Sequence, residues 1–316
     1  MIQLALVVAS VALLNGSSAG APSLRASAVL DTSSNFSWSG SVPKGAWLRI
    51  RDLAGTIEVK RATGSTIEIR ATPEPETNGW SWDHARIEPV RFVTRRIGSD
   101  VTVCAITDDM PRCDPDNISH NTGWNGDWRP QAMHVVVQLP AGVAIQTETM
   151  HGDLEIADVG TDVIAQTAHG GISIRNATGP VTANSGHGDV DITDAVSRVT
   201  ASTGHGDIHV SGASAVRATT GHGNVIVELA TAPTTGGGDM MFETAHGNVR
   251  VAVPRTFSGD VDLYTGHGHV SSDFPLRPVD PDAGGNSDSE RGTLGTGGRI
   301  VRLSSGHGDV SLTTED

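Results

Sequence analysis

Eight His-Gly pairs dominate the sequence, at His151, His169, His187, His205, His222, His246, His267 and His307. Imidazole can ligate a metal, carry a proton near neutral pH, or donate and accept hydrogen bonds. The successive spacings are 18, 18, 18, 17, 24, 21 and 40 residues. If the units stack in register, His151, His169, His187, His205 and His222 form a ladder whose neighbouring rings could share a divalent metal ion. That column is the candidate metal site. Asp153, Asp189 and Asp207 stand two residues on, where a carboxylate could orient a ring or add an oxygen ligand. Asp189, Asp191 and Asp194 raise calcium as well, since calcium-binding β-rolls also repeat at about 18 residues. The Gly-Gly-x-Gly-x-Asp signature of those rolls is missing. The plainer reading needs no ligand. A residue before a turn glycine often takes a left-handed or bridge conformation, where Asn, Asp and His are enriched.

Catalysis finds less support. Acids and histidines recur once per repeat, with no lone nucleophile set beside a base. No Ser-His-Asp arrangement, phosphate-binding loop or His-Glu-x-x-His stands out. The expectation is therefore a protein that is not an enzyme and needs no cofactor, with a polysaccharide-acting β-helix enzyme as the catalytic alternative. The tryptophans could line a sugar-binding surface, although such rings more often belong to a core or cap. Cys104 and Cys113 would pair in an oxidising compartment and staple one loop; two buried free thiols are the alternative.

The elements that must position the histidines are written in the flanks. Three and five residues after each histidine stand apolar pairs such as Leu154 and Ile156, Ile172 and Ile174, Val190 and Ile192, and Ile208 and Val210. Six and four residues before it stand Val163 and Ala165, Val181 and Ala183, Val199 and Ala201, and Val216 and Ala218. Two residues before it there is always Thr or Ser. Period-2 alternation on both sides of a glycine turn means two short strands meeting at a corner, and the parity change across His-Gly must be absorbed by the glycine. Such a unit is too small to bury its own apolar face, so the units must stack. An all-β fold follows: a β-solenoid of about 18-residue coils, favoured over a sandwich of antiparallel hairpins. Its interior should be thin at the alanines and thicker at Phe242, Leu263 and Leu303. Only the His267 copy departs, with Ser272 in place of its second apolar residue.

The first half carries the same theme less regularly. Ala54-Gly55-Thr56-Ile57-Glu58-Val59 matches the unit with alanine in the histidine position, and Leu48 and Ile50 take the preceding offsets. The division expected is a signal peptide over 1–21, an N-terminal segment over 22–46 and a β-repeat domain over 47–316. Within that domain, 73–130 is an irregular insertion or cap holding both cysteines and Trp80, Trp82, Trp124 and Trp128. The His-Gly repeats span 145–316, with a Gly-, Asp- and Ser-rich loop at 280–298. The signal rests on the apolar run Ile2 to Leu14 and on cleavage after Ala19 or Ala21; a basic n-region is missing, and a buried apolar strand is the alternative.

Leu-Pro-Ala-Gly at 139–142, the recurring Thr-x-x-Gly-Asp-Val-x-Ile, and Ser-Ser-Gly-His-Gly-Asp-Val-Ser-Leu at 304–312 resemble a bacterial family. It is the exported "putative adhesin" family of β-strand repeats, formerly a domain of unknown function and related to auto-transporter adhesin head domains. The resemblance runs from about Trp47 to Leu312 and implies a solenoid-like, exported protein (periplasmic, cell-surface or secreted) with an adhesive or envelope role. It assigns no functional residue. Composition agrees: 38 glycines, 37% apolar residues and few aromatics suit short strands and tight turns. A formal charge of −14 disfavours nucleic acid and anionic membrane as partners, and no membrane span is expected in the mature chain. The expected partner is an envelope or surface component. Protonating all 13 histidines would bring that charge to −1, which makes self-association a further candidate.

Overall fold

Valine and isoleucine at every second position favour extended backbone, because branched side chains pack well on a pleated surface. In the computed structural model this pattern builds, among the described residues, two long sheets of 12 and 13 strands and a separate two-stranded one. The residues described are 35–75, 86–113, 128–229, 238–278 and 288–314. Residues 1–21, expected to be a signal peptide, lie outside them, as do Trp80, Trp82 and Trp124.

The fold is a β-solenoid. Each coil gives one strand to each sheet, as Val181–His187 and Val190–Thr193 do in the third His-Gly unit. Pairing between coils is parallel and in register, so like residues form columns: Val163, Val181, Val199 and Val216 in one, Ala165, Ala183, Ala201 and Ala218 in the next. The opposite sheet supplies Ile172, Val190, Ile208 and Val225. All of these are buried, as are the bulkier Phe242, Leu263 and Leu303 that replace the alanines toward the far end. Even offsets before the histidine and odd offsets after it therefore face one shared interior, as the alternation requires. Ala54 stands where the other coils have histidine, bridging to His151 in parallel.

Coil order departs from chain order at both ends. The last coil, Ile300–His307 with Val310–Thr314, lies between the His246 coil and the His267 coil. At the other end, Trp47–Arg51 and Ile57–Arg61 lie between the His151 coil and the pair Asp100–Ile106 and Met133–Leu139. Outside these, the pairing turns antiparallel. Arg91–Ile97 closes on Asp100–Ile106, Ile67–Pro73 on Met133–Leu139, and Asp288–Leu294 on Gly259–Thr265. An antiparallel edge cannot continue the parallel register, which is one way to stop further stacking. The span 280–298, read from sequence as a loop, thus contributes a strand; its Gly and Ser content hid the pairing. Ser272 also finds its reason here, because Val270–Ser272 is an outermost strand with a neighbour on one side. Cys104 and Cys113 form a disulfide, Cα to Cα 5.5 Å, and pack with Ile106 on a small cluster outside the main core.

Candidate functional site: the histidine edge

Each histidine is the last residue of its strand or lies just beyond it, and the turn after it is built by three neighbours. The following glycine has φ between +138° and +155° in all eight copies, a region closed to most side chains. At Gly188 an added Cβ would also lie 2.1 Å from the carbonyl oxygen of Gly170 in the preceding coil. Close stacking, as well as the turn, demands glycine.

That inward carbonyl needs a donor, and the Thr or Ser two residues before the next histidine supplies it. Ser185 Oγ donates to Gly170 O at 2.9 Å, Thr203 Oγ1 to Gly188 O at 2.9 Å and Thr220 Oγ1 to Gly206 O at 3.0 Å. Thr167, Thr244, Thr265 and Ser305 repeat the bond. The sequence displayed this position plainly, but its role becomes visible only when two coils are placed together.

The residue two after the histidine makes a third ladder. Asp153 Oδ1 accepts from the Gly171 amide at 2.7 Å, Asp189 Oδ1 from Asp207 at 2.8 Å and Asp207 Oδ1 from Asn224 at 2.7 Å. Asn224, Asn248 and Asp309 continue it. Carboxylates suggested as ring-orienting groups or ligands are thus engaged by the backbone. Of the calcium trio, Asp191 pairs with His209 Nδ1 at 3.1 Å and Asp194 sits in the return turn with φ 55°. Among the described residues no three His, Cys, Asp or Glu side chains are grouped to hold a metal ion.

The histidines themselves form one column. From His151 through His169, His187, His205, His222 and His246 to His307, ring centroids are 4.6 to 4.9 Å apart and planes tilt by 2° to 4°. His267 closes the series on His307 at 4.6 Å and 26°. All five candidate metal residues are brought together. Ring nitrogens, however, project their lone pairs in the plane of the ring, so parallel stacked rings direct them side by side rather than toward a common point. A tetrahedral ion would require rings to rotate out of the stack.

His151 is half-buried at the inner end; the other seven are exposed. Burial, and next the charge of His169, push the His151 imidazole down from 6.5 to about 4. None of the eight histidines has a positive φ. The left-handed residues lie seven places on, at Asp158, Asn176, Asp194 and Gly212, in the return turn between coils. A left-handed backbone therefore does not account for histidine in this position.

Sequence reasoning also missed a buried polar group beside the first coil. Arg51 and Glu148 pair within the stack, and the wholly buried Asp52 has its carboxyl raised well above the usual range, chiefly by burial. Nothing in the repeat pattern signals this cluster.

The Toastrack DUF4097 family model matches residues 119–313. No curated protein matches the chain. Three crystal structures are similar in part. One is of "a putative adhesin" from Bacteroides fragilis, 12% identical, covering 89% of this chain and 97% of its own, with a TM-score of 0.42. Another is of "a putative cell adhesion protein" from Clostridium sporogenes, 13% identical, covering 89% and 100%, with a TM-score of 0.24. The third is of "a putative adhesin" from Parabacteroides merdae, 8% identical, covering 89% and 97%, with a TM-score of 0.26.

Proposed function

The chain belongs to the Toastrack DUF4097 family, and on that footing we propose that it is a non-catalytic, extracytoplasmic binding module that engages a component of the cell envelope or surface. One observation carries the reading. The solenoid presents identical exposed side chains at a fixed repeat along a rigid edge, seven stacked imidazoles among them. A surface that repeats in this way suits a partner that repeats, because many weak contacts in register add up to useful avidity. The Cys104–Cys113 disulfide supports an oxidising compartment outside the cytoplasm. The resemblance of the repeat to exported β-strand-repeat adhesins supports the periplasm or cell surface as the place of action.

The test uses purified protein with isolated envelope polymers: peptidoglycan, capsular polysaccharide and lipopolysaccharide or teichoic acid. Saturable binding with no released product is expected for at least one. Release of soluble fragments on prolonged incubation would overturn the non-catalytic reading, and failure to bind any of them would overturn the envelope-binding one.

A further inference from the structure

Tyr264 is the one tyrosine of the chain, and it stands 48% exposed on the outer face of the 13-stranded sheet. Its in-register neighbours are Ser304 on the parallel strand and Ser289 on the antiparallel strand. Serine is too short to cover an aromatic ring, so the flanks of Tyr264 are left open where larger neighbours would have packed against them. Two residues earlier on the same face, Asp262 lies between Arg302 and Arg291 of the same two strands. Arg291 Nη2 and Arg302 Nε reach the same carboxylate oxygen, Oδ2, at 3.2 and 3.5 Å. Oδ1 has no partner among the described residues. These six side chains line a shallow concavity.

A row of alternating charges across neighbouring strands is ordinary sheet chemistry. It does not explain an uncovered ring beside it. Together the groups offer a flat apolar platform, a free carboxylate acceptor and two guanidiniums with spare N–H donors. A pyranose presents the matching features: one face of C–H groups, and adjacent hydroxyls around the rim that both donate and accept. We infer that this concavity is a saccharide subsite, with a pyranose ring stacked on Tyr264 and its hydroxyls held by Asp262 Oδ1 and the guanidiniums of Arg291 and Arg302. The inference rests on the envelope-binding reading and names a ligand class and a place for it.

A single tyrosine makes the test direct. With 3-fluorotyrosine incorporated, the full chain gives one fluorine resonance, from this site alone. The probes are oligomers of N-acetylglucosamine, mannose and galacturonate, each titrated to about 10 mM, the range of a weak single subsite. At least one should shift the resonance saturably. By calorimetry with that oligomer, Tyr264→Ala should raise Kd about tenfold or more, while Tyr264→Phe, which keeps the ring, should stay within about threefold. Asp262→Asn should weaken binding as well. Because Tyr264 is exposed, equal melting temperatures will show that the variants are folded. A resonance that no probe moves, or a Tyr264→Ala protein that binds as the parent does, would overturn the subsite. If Tyr264→Ala still binds isolated envelope polymer undiminished, the subsite fails and the envelope-binding reading stands. If the parent binds oligomers at Tyr264 but no envelope polymer, the reverse holds.

Discussion

Ser185→Ala should destabilise the protein by about 2 kcal/mol although it removes one oxygen atom. Ser185 is buried, and its hydroxyl donates 2.9 Å to the carbonyl of Gly170, the only hydrogen bond that oxygen receives among the described residues. Alanine keeps the strand and leaves no large cavity, so the cost is that of a buried carbonyl without a donor, about 1–3 kcal/mol. Ser185→Thr restores the donor with the residue found at the equivalent position of six other coils, and should change stability by less than about 0.5 kcal/mol. Urea unfolding followed by far-ultraviolet circular dichroism measures both. The alanine variant should lower the midpoint by about 0.5 M or more, with m unchanged. A loss of cooperativity would show as a changed m, because a stack of coils can open locally. If Ser185→Ala unfolds with the parent, or Ser185→Thr falls as far as alanine, the inter-coil hydroxyl bond does not have the role assigned to it.

Gly188→Ala should be worse than either, by about 3 kcal/mol or more, since it combines a disallowed φ with a clash against backbone one coil away; failure to accumulate as folded protein is the expected readout. His151 has its imidazole depressed to about 4, so the unfolded chain binds a proton near 6.5 before the folded chain does. Its stabilising contribution is present above pH 6.5 and lost as pH falls toward 4, by about 1–2 kcal/mol after discounting for partial exposure. His151→Asn should flatten the melting temperature across that window, and an unchanged slope would refute the assignment. Asp52 behaves oppositely: a raised carboxyl contributes stability in acid that is lost as pH rises through its folded value. Asp52→Asn, which keeps the acceptor for the Leu53 amide, should therefore raise stability at pH 7 by about 1 kcal/mol. Replacing both Cys104 and Cys113 with Ser should cost about 2 kcal/mol, the order expected for a short closed loop, with equal melting of oxidised parent and variant as the contrary result.

The coils were legible because burial imposes its period on the sequence. Val181, Ala183, Val190 and Ile192 announce two strands and a corner by their alternation alone, and identical spacing in the next unit announces the stack. Coil order was not legible. Nothing in Ile300 to Leu312 says that this coil lies inside the His267 coil, because every coil offers much the same edge and pairing energy does not distinguish positions in the stack. Asp288–Leu294 was hidden for a related reason: as a cap strand facing solvent it needs no apolar alternation. The Arg51, Asp52 and Glu148 cluster escaped because these residues occur once, and periodicity cannot report what does not repeat.

Within the turn, the histidine stands apart from its neighbours. Backbone geometry demands glycine after it, a hydroxyl two residues before it, and favours an Asx side chain two residues after it. Backbone geometry does not demand the imidazole. Its φ is not positive, and Ala54 fills the equivalent place in a coil that stacks directly against His151. A position that alanine can occupy, yet that carries histidine in eight coils, is set by what the side chain does beyond the turn. Face-to-face packing at 4.6 to 4.9 Å is one such effect, and it operates within the stack. It also has a cost, since protonating neighbours at that spacing places like charges about 5 Å apart, worth about 0.8 kcal/mol per pair even in water.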